Sequence, residues 1–178
     1  MGQDAETEIE ARSATPAPVT LPAEPAPRFC GRYTNTVDAK SRVVLPASFR
    51  GPFLAGGGLL TVWQGQCLAA MAPTEFDRYA AHMARQLAAI NEPHPDAILR
   101  ALWGATSEFK LDVQGRLVLA EDLRSEVGIG TEVRFQGFGR RVELWPADAS
   151  PADEAERADH LATIGMLQSS YDLPDLGS

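Results

Sequence analysis

Arg42 and Arg116 each follow an aspartate by four positions, in Asp38-Ala39-Lys40-Ser41-Arg42 and Asp112-Val113-Gln114-Gly115-Arg116. A guanidinium is a planar fork of donors that fits a phosphate or the edge of a guanine. An aspartate at the start of a tight turn accepts hydrogen bonds from its own backbone two residues on. The spacing therefore has two readings. The arginine reaches outward to an anion, or it closes on its aspartate and completes the turn. Lys40 adds a cation to the first turn only; the second carries Gln114 there. Gly115 suits a turn position with positive φ, which Ser41 fits less easily.

The likeness runs beyond the turns. Residues 37–50 and 111–124 align without gaps, with Asp38/Asp112, Arg42/Arg116, Val44/Val118, Leu45/Leu119 and Arg50/Arg124 identical. An internal repeat fixes architecture before any single residue does. In the first copy Arg32–Val37 reads as a strand, Asp38–Ser41 as a turn and Arg42–Leu45 as a β-branched strand. Pro46 opens a short helix, and strands at Leu59–Trp63 and Gln66–Met71 follow around Gly65. The second copy gives a strand at Glu108–Leu111, the turn, and a strand at Arg116–Leu119. A helix over Glu121–Val127 ends at Gly128, and strands at Glu132–Gln136 and Arg141–Trp145 flank Gly137-Phe138-Gly139. Arg50 and Arg124 fall on the short helices, where a salt bridge or a contact with the helix C-terminus is the expected role.

Between the copies Phe76, Ala80, Met83, Leu87 and Ile90 recur at near-helical spacing behind a Thr74 cap. A second helix spans Asp96–Trp103. Ser150-Pro151 opens a third that runs toward Met166 with a largely alanine face. Residues 1–27 hold five prolines and no aromatic residue, a composition that cannot offset chain entropy and is expected to be disordered.

The chain carries a net charge of −8. Residues 1–27 account for −4 and residues 147–178 for −6, so 28–146 carry +2. The repeats thus lie in a mildly basic centre between acidic ends. No run is long and apolar enough to span a membrane. Glu6 stands where an N-myristoylation site wants Ser or Thr, and no secretory signal pattern is present. Cys30 and Cys67 lack C-x-x-C spacing and read as small apolar fillers. His82, His94 and His160 have no metal spacing and no neighbouring nucleophile, and no phosphate-binding lysine follows Gly56-Gly57-Gly58. Neither an enzyme nor a cofactor is expected. Trp63, Trp103 and Trp145 could stack on bases, but their places at element ends suit core or subunit contact better.

Three stretches resemble the start of MraZ proteins: Phe29-Cys30-Gly31-Arg32-Tyr33, Asp38-Ala39-Lys40-Ser41-Arg42 and Leu45-Pro46-Ala47-Ser48-Phe49-Arg50. The second copy, with Val127-Gly128-Ile129-Gly130 after it, resembles the second half of that family. Ser41 replaces the family's usual glycine, and Gln114 stands where a lysine is common. The resemblance implies a SpoVT-AbrB swapped-hairpin fold, ring assembly, and transcription regulation through short direct repeats upstream of the division and cell-wall gene cluster. It turns Lys40, Arg42, Gln114 and Arg116 toward DNA and makes Asp38, Asp112 and Gly115 turn formers.

The expected fold is α+β. Two tandem SpoVT-AbrB-like units, 28–74 and 105–149, form a pseudo-two-fold small barrel. A helical insert spans 75–104, and a C-terminal helix with a loose tail spans 150–178. The expected function is a sequence-specific DNA-binding repressor in the cytoplasm and nucleoid. Its partners are promoter direct repeats and copies of itself in a closed ring, with no membrane and no small-molecule substrate. A ring-forming scaffold whose turns bind a protein or small anion, and an AbrB-like regulator or antitoxin, are the competing readings.

Overall fold

The computed structural model describes residues 28–147 and 151–168. The expected disorder of 1–27 and the loose end of the tail lie outside the described residues. Among the described residues the strands are β1 (Arg32–Thr36), β2 (Arg42–Val44), β3 (Gly58–Trp63), β4 (Cys67–Met71), β5 (Thr106–Phe109), β6 (Arg116–Val118), β7 (Glu132–Phe138) and β8 (Arg141–Pro146). The helices are α1 (Ala47–Arg50), α2 (Pro73–Ala89), α3 (Pro95–Gly104), α4 (Glu121–Glu126) and α5 (Pro151–Gln168), with a 3-10 turn at Gly51–Phe53 after α1.

Prolines set the helix starts. Pro73 and Pro95 occupy the first helical positions of α2 and α3, where a missing N–H costs nothing. The expected Thr74 cap is therefore displaced: Ala72 precedes the helix and no side chain caps it. β5 lies two residues earlier than expected. Its register is set by pairing with β3, where Thr61 opposes Thr106 and their hydroxyls meet at 3.0 Å, so Lys110 and Leu111 belong to the approach to the turn. β7 runs through Gly137 to Phe138, and the hairpin turn is Gly139-Arg140. Gly137 is needed inside the strand because a Cβ there would strike the backbone of Phe29 and Cys30.

Six strands form one antiparallel sheet in the order β1-β7-β8-β4-β3-β5, and β2 pairs with β6 as a separate two-stranded ribbon. The pairing does not close the expected pseudo-two-fold small barrel, since β1 and β5 remain as sheet edges. The pairing crosses the chain: β1 joins β7, β5 joins β3, β4 joins β8 and β2 joins β6. The main core fills the space between sheet and ribbon. Phe29 stacks on Phe53 and meets Phe49 edge-on, while Val43, Leu45, Leu117 and Leu119 reach in from the ribbon side. A smaller cluster of Ala69, Met71 and Phe76 seats α2 on the other face of the sheet.

Because strands of the first half are hydrogen-bonded to strands of the second, the halves should not separate when the connection between them is cut. A specific protease site placed in the α2–α3 connection at 91–94 is expected to give two fragments that co-elute at neutral pH and part only in denaturant. Fragments that separate without denaturant would contradict the cross-pairing.

Candidate nucleic-acid interface

Each Asp-x-x-x-Arg segment folds around its own carboxylate. Asp38 Oδ1 accepts from the backbone N–H of Lys40 at 2.8 Å and of Arg42 at 2.9 Å, and Asp38 Oδ2 accepts from Arg42 Nε at 2.8 Å. In the second turn Asp112 Oδ1 accepts from the N–H of Gln114 and of Arg116, both at 2.9 Å, and Oδ2 accepts from Arg116 Nε at 2.7 Å. Ser41 N–H donates to Asp38 O, and Gly115 N–H donates to Asp112 O, each at 2.9 Å. Both turns need a left-handed residue before the arginine: Ser41 has φ of 54° and Gly115 of 76°.

The two readings of the arginines are therefore partly compatible. Each guanidinium does close on its aspartate. Arg42 commits Nε and one terminal nitrogen, Nη2, at 2.8 Å, and Arg116 commits Nε. The remaining terminal N–H groups have no partner among the described residues, and the side chains stay 32% and 26% exposed. A fork already held in one orientation loses less freedom on meeting an acceptor.

The ribbon places these groups on one face. Arg42 pairs with Val118, Val43 with Leu117 and Val44 with Arg116, so the two turns lie at opposite ends of the ribbon. Val43 and Leu117 are buried, and alternation turns Arg42, Val44, Arg116 and Val118 away from the core. Val44 and Val118 are exposed apolar residues, and Val113 at the second turn tip is fully exposed. Lys40 and Gln114 are exposed at matching tip positions. The structure thus brings Asp38, Lys40 and Arg42 together at one end and Asp112, Gln114, Gly115 and Arg116 at the other. Sequence reasoning missed Val44, Val113 and Val118. The signal for two of them was present, since period-two alternation counted from each arginine puts Val44 and Val118 on its face.

Other candidates lie elsewhere. Trp63 packs on Tyr79 and under Arg141, Trp103 packs on Phe76, and Trp145 donates its ring N–H to Glu143, so none joins the ribbon. Buried Glu75 accepts from Arg78 and Arg140, and buried Glu143 from Arg141. Cys67 fits the filler role, and burial pushes its thiol up to about 12. Cys30 does not: it is exposed.

The fold and this face together define a mixed α/β protein with an antiparallel sheet that displays an arginine-bearing two-stranded ribbon. The chain matches the family model for MraZ protein, described as antitoxin-like, over residues 29–96 and 102–157. It is 34% identical over 121 residues to the transcriptional regulator MraZ of Paenarthrobacter aurescens, covering 68% of this chain and 82% of that protein. It is 30% identical to the Leuconostoc mesenteroides transcriptional regulator MraZ over 145 residues, covering 82% of this chain and 99% of that one. The match to the same regulator of Mycobacterium sp. (strain KMS) is 37% over 121 residues, with 68% and 82% covered. The chain belongs to the MraZ family.

Donation from the Arg42 side chain, then from backbone N–H groups, holds the Asp38 carboxyl at about 2 against an ordinary 3.8. Asp112 is lowered as well, first by the backbone N–H of Arg116. A carboxyl with a depressed folded value adds stability that is fully present above its unfolded value and is lost as pH falls through the folded one. The Asp38 contribution should therefore fade between pH 3.8 and about 2, and Asp38→Asn should flatten that part of the stability curve. Side-chain carbon NMR titration is the check; a midpoint for Asp38 at or above 3.8 would overturn this account.

Proposed function

We propose that this chain is a sequence-specific DNA-binding transcriptional repressor that reads direct repeats through its two Asp-x-x-x-Arg turns. The observation that carries the reading is the ribbon face: two oriented guanidiniums, exposed Lys40 and outward valines on one short two-stranded element. Membership of a family whose relatives are named transcriptional regulators supports it. Two strands about 4.8 Å apart fit a major groove about 12 Å wide. Arg42 and Arg116 would supply donors to a guanine edge or a phosphate, Val44, Val113 and Val118 would meet thymine methyl groups, and Lys40 would neutralise a phosphate.

In the proposed organisation, 28–74 and 105–149 are two SpoVT-AbrB-like units that exchange strands, 75–104 is an insert, and 150–178 is a C-terminal extension. The protein would act in the cytoplasm at the nucleoid. One ribbon with a single unpaired lysine holds duplex DNA weakly, because affinity rests largely on the number of phosphates neutralised. A closed ring of copies would bring several ribbons to successive repeats at high effective concentration. Phe76, on the apolar face of α2, is fully buried within its own chain and is closed to a neighbouring copy. Ile90, at 67% exposure, and Trp103, at 51%, remain as apolar contacts on the insert.

The test uses the chain with duplexes from upstream of its own coding sequence. Arg42→Ala and Arg116→Ala should each weaken binding by about 1–3 kcal/mol where a base edge is contacted, with unchanged circular dichroism. Binding should collapse when repeats are reduced to one or respaced by half a helical turn, and light scattering should give a closed oligomer above a dimer. Wild-type affinity in the double arginine mutant would reject the DNA reading, and equal affinity for one repeat and several would reject the ring.

A further inference from the structure

Arg50 and Arg124 end α1 and begin the last turn of α4 at matching places in the repeat, yet each lies on the turn of the opposite half. A Cβ added to Gly115 would collide with the guanidinium of Arg50, so that group fills the space a side chain at 115 would take. Arg50 Nε donates to Leu45 O at 2.7 Å, and Leu45 N–H donates to Gly115 O at 2.9 Å. On the other side Arg124 Nη1 donates to Ser41 Oγ at 3.1 Å. Its Nε and Nη2 are anchored on Ile129 O and Gly130 O at 2.8 and 2.6 Å, and Glu121 lies 3.9 Å away. Ser41 Oγ in turn donates to Glu121 Oε2 at 3.2 Å, and Leu119 N–H donates to Ser41 O at 2.8 Å.

These contacts converge on the left-handed residue of each turn, the one immediately before Arg42 or Arg116. Rotation about that residue swings the next side chain, so a group wedged against it fixes where the arginine fork points. The two halves reach this by different chemistry. A bare glycine lets Arg50 lie on the backbone, while a serine offers a hydroxyl that Arg124 grips. The serine's φ of 54° is thus secured by hydrogen bonds at a place where glycine would be free of strain.

We propose that Arg50 and Arg124 are positioning residues for DNA recognition, each orienting the reading arginine of the opposite half: Arg50 sets Arg116 through Gly115, and Arg124 sets Arg42 through Ser41. The proposal rests on the reading of the turns as the DNA contact. It makes each turn dependent on the helix of the other half, so the two ends of the ribbon are set from across the chain.

The test follows the arginine Nε–H signals by NMR in the full chain, together with binding to the upstream duplex. In Arg50→Met, hydrogen exchange at Arg116 Nε should quicken by about tenfold or more as the turn opens, with Arg42 Nε unchanged. Arg124→Met should show the reverse. Operator affinity should fall about tenfold in each, while the slope against salt stays at the wild-type value because no phosphate contact is removed. Arg50→Lys, which keeps the charge and loses the fork, should behave like Arg50→Met, and it carries the same readout if the methionine variant does not fold. Unchanged exchange at Arg116, or equal quickening at both arginines, would overturn the proposal. So would a salt slope lowered by about one, which would mark Arg50 as a phosphate contact. Wild-type affinity in Arg116→Ala would instead sink the DNA reading of the turns, while the exchange pattern would still decide the bracing.

Discussion

The candidate interface depends on the carboxylates of Asp38 and Asp112. Each accepts from two backbone N–H groups and from an arginine Nε within one five-residue segment. Aspartate is short enough to reach backbone N–H groups two and four positions on, and ionised enough to hold a guanidinium as well. With its donors satisfied, the turn can place one residue in the left-handed region. That residue's carbonyl then reaches across to the other half: Ser41 O takes Leu119 N–H and Gly115 O takes Leu45 N–H. Turn shape, ribbon register and arginine orientation are consequently one construction, and a change at either aspartate disturbs all three.

The same carboxylates limit what the ribbon can do at long range. A guanidinium paired at 2.7 or 2.8 Å is electrically almost cancelled beyond a Debye length. Residues 28–146 carry only +2, and the chain as a whole carries −8. The electrostatic steering that draws strongly basic proteins to DNA is therefore weak here. What the pairing supplies is short-range geometry, with a fork fixed in direction before contact. On the proposed function, affinity must come from the number of ribbons engaged and specificity from the fit of each.

Much of this was legible in the sequence, because the relevant interactions are local. The Asp-to-Arg spacing, the β-branched run Arg42–Val44 and the need for glycine at 115 concern residues within a few positions of one another. The order of strands and helices followed from the same local signals. Pairing was not legible, since nothing within Arg32–Thr36 says that its partner is Glu132–Gln136 and not its own hairpin neighbour. The shift of β5 has the same origin: its ends are set by β3, forty-five residues away at the Thr61–Thr106 contact. Arg50 and Arg124 were placed on short helices correctly, and a helix-end contact describes Arg124 in part. Each also lies against a turn of the other half, Arg50 at Gly115 and Arg124 at Ser41, which only the folded chain brings near.

The ribbon is nearly symmetric in its backbone and plainly asymmetric in its side chains. Its two turns repeat the same hydrogen bonds, but one tip presents Ala39 and Lys40 where the other presents Val113 and Gln114. A reader with true two-fold symmetry suits a palindrome, because operator symmetry mirrors protein symmetry. A single chain carrying two unlike ends would instead have a direction along a bound duplex. On the proposed function its charged end would meet phosphate, and its valine end an apolar group such as a thymine methyl. Copies of such a chain arranged head to tail would all face the same way along DNA, and head-to-tail contacts of this kind close into rings when the rotation permits. Direct repeats, in which every site has the same polarity, are the operator that this asymmetry would match. On the proposed function, the pairs Ser41/Gly115 and Lys40/Gln114 would tell the two ends apart and supply the polarity that a direct-repeat reader requires.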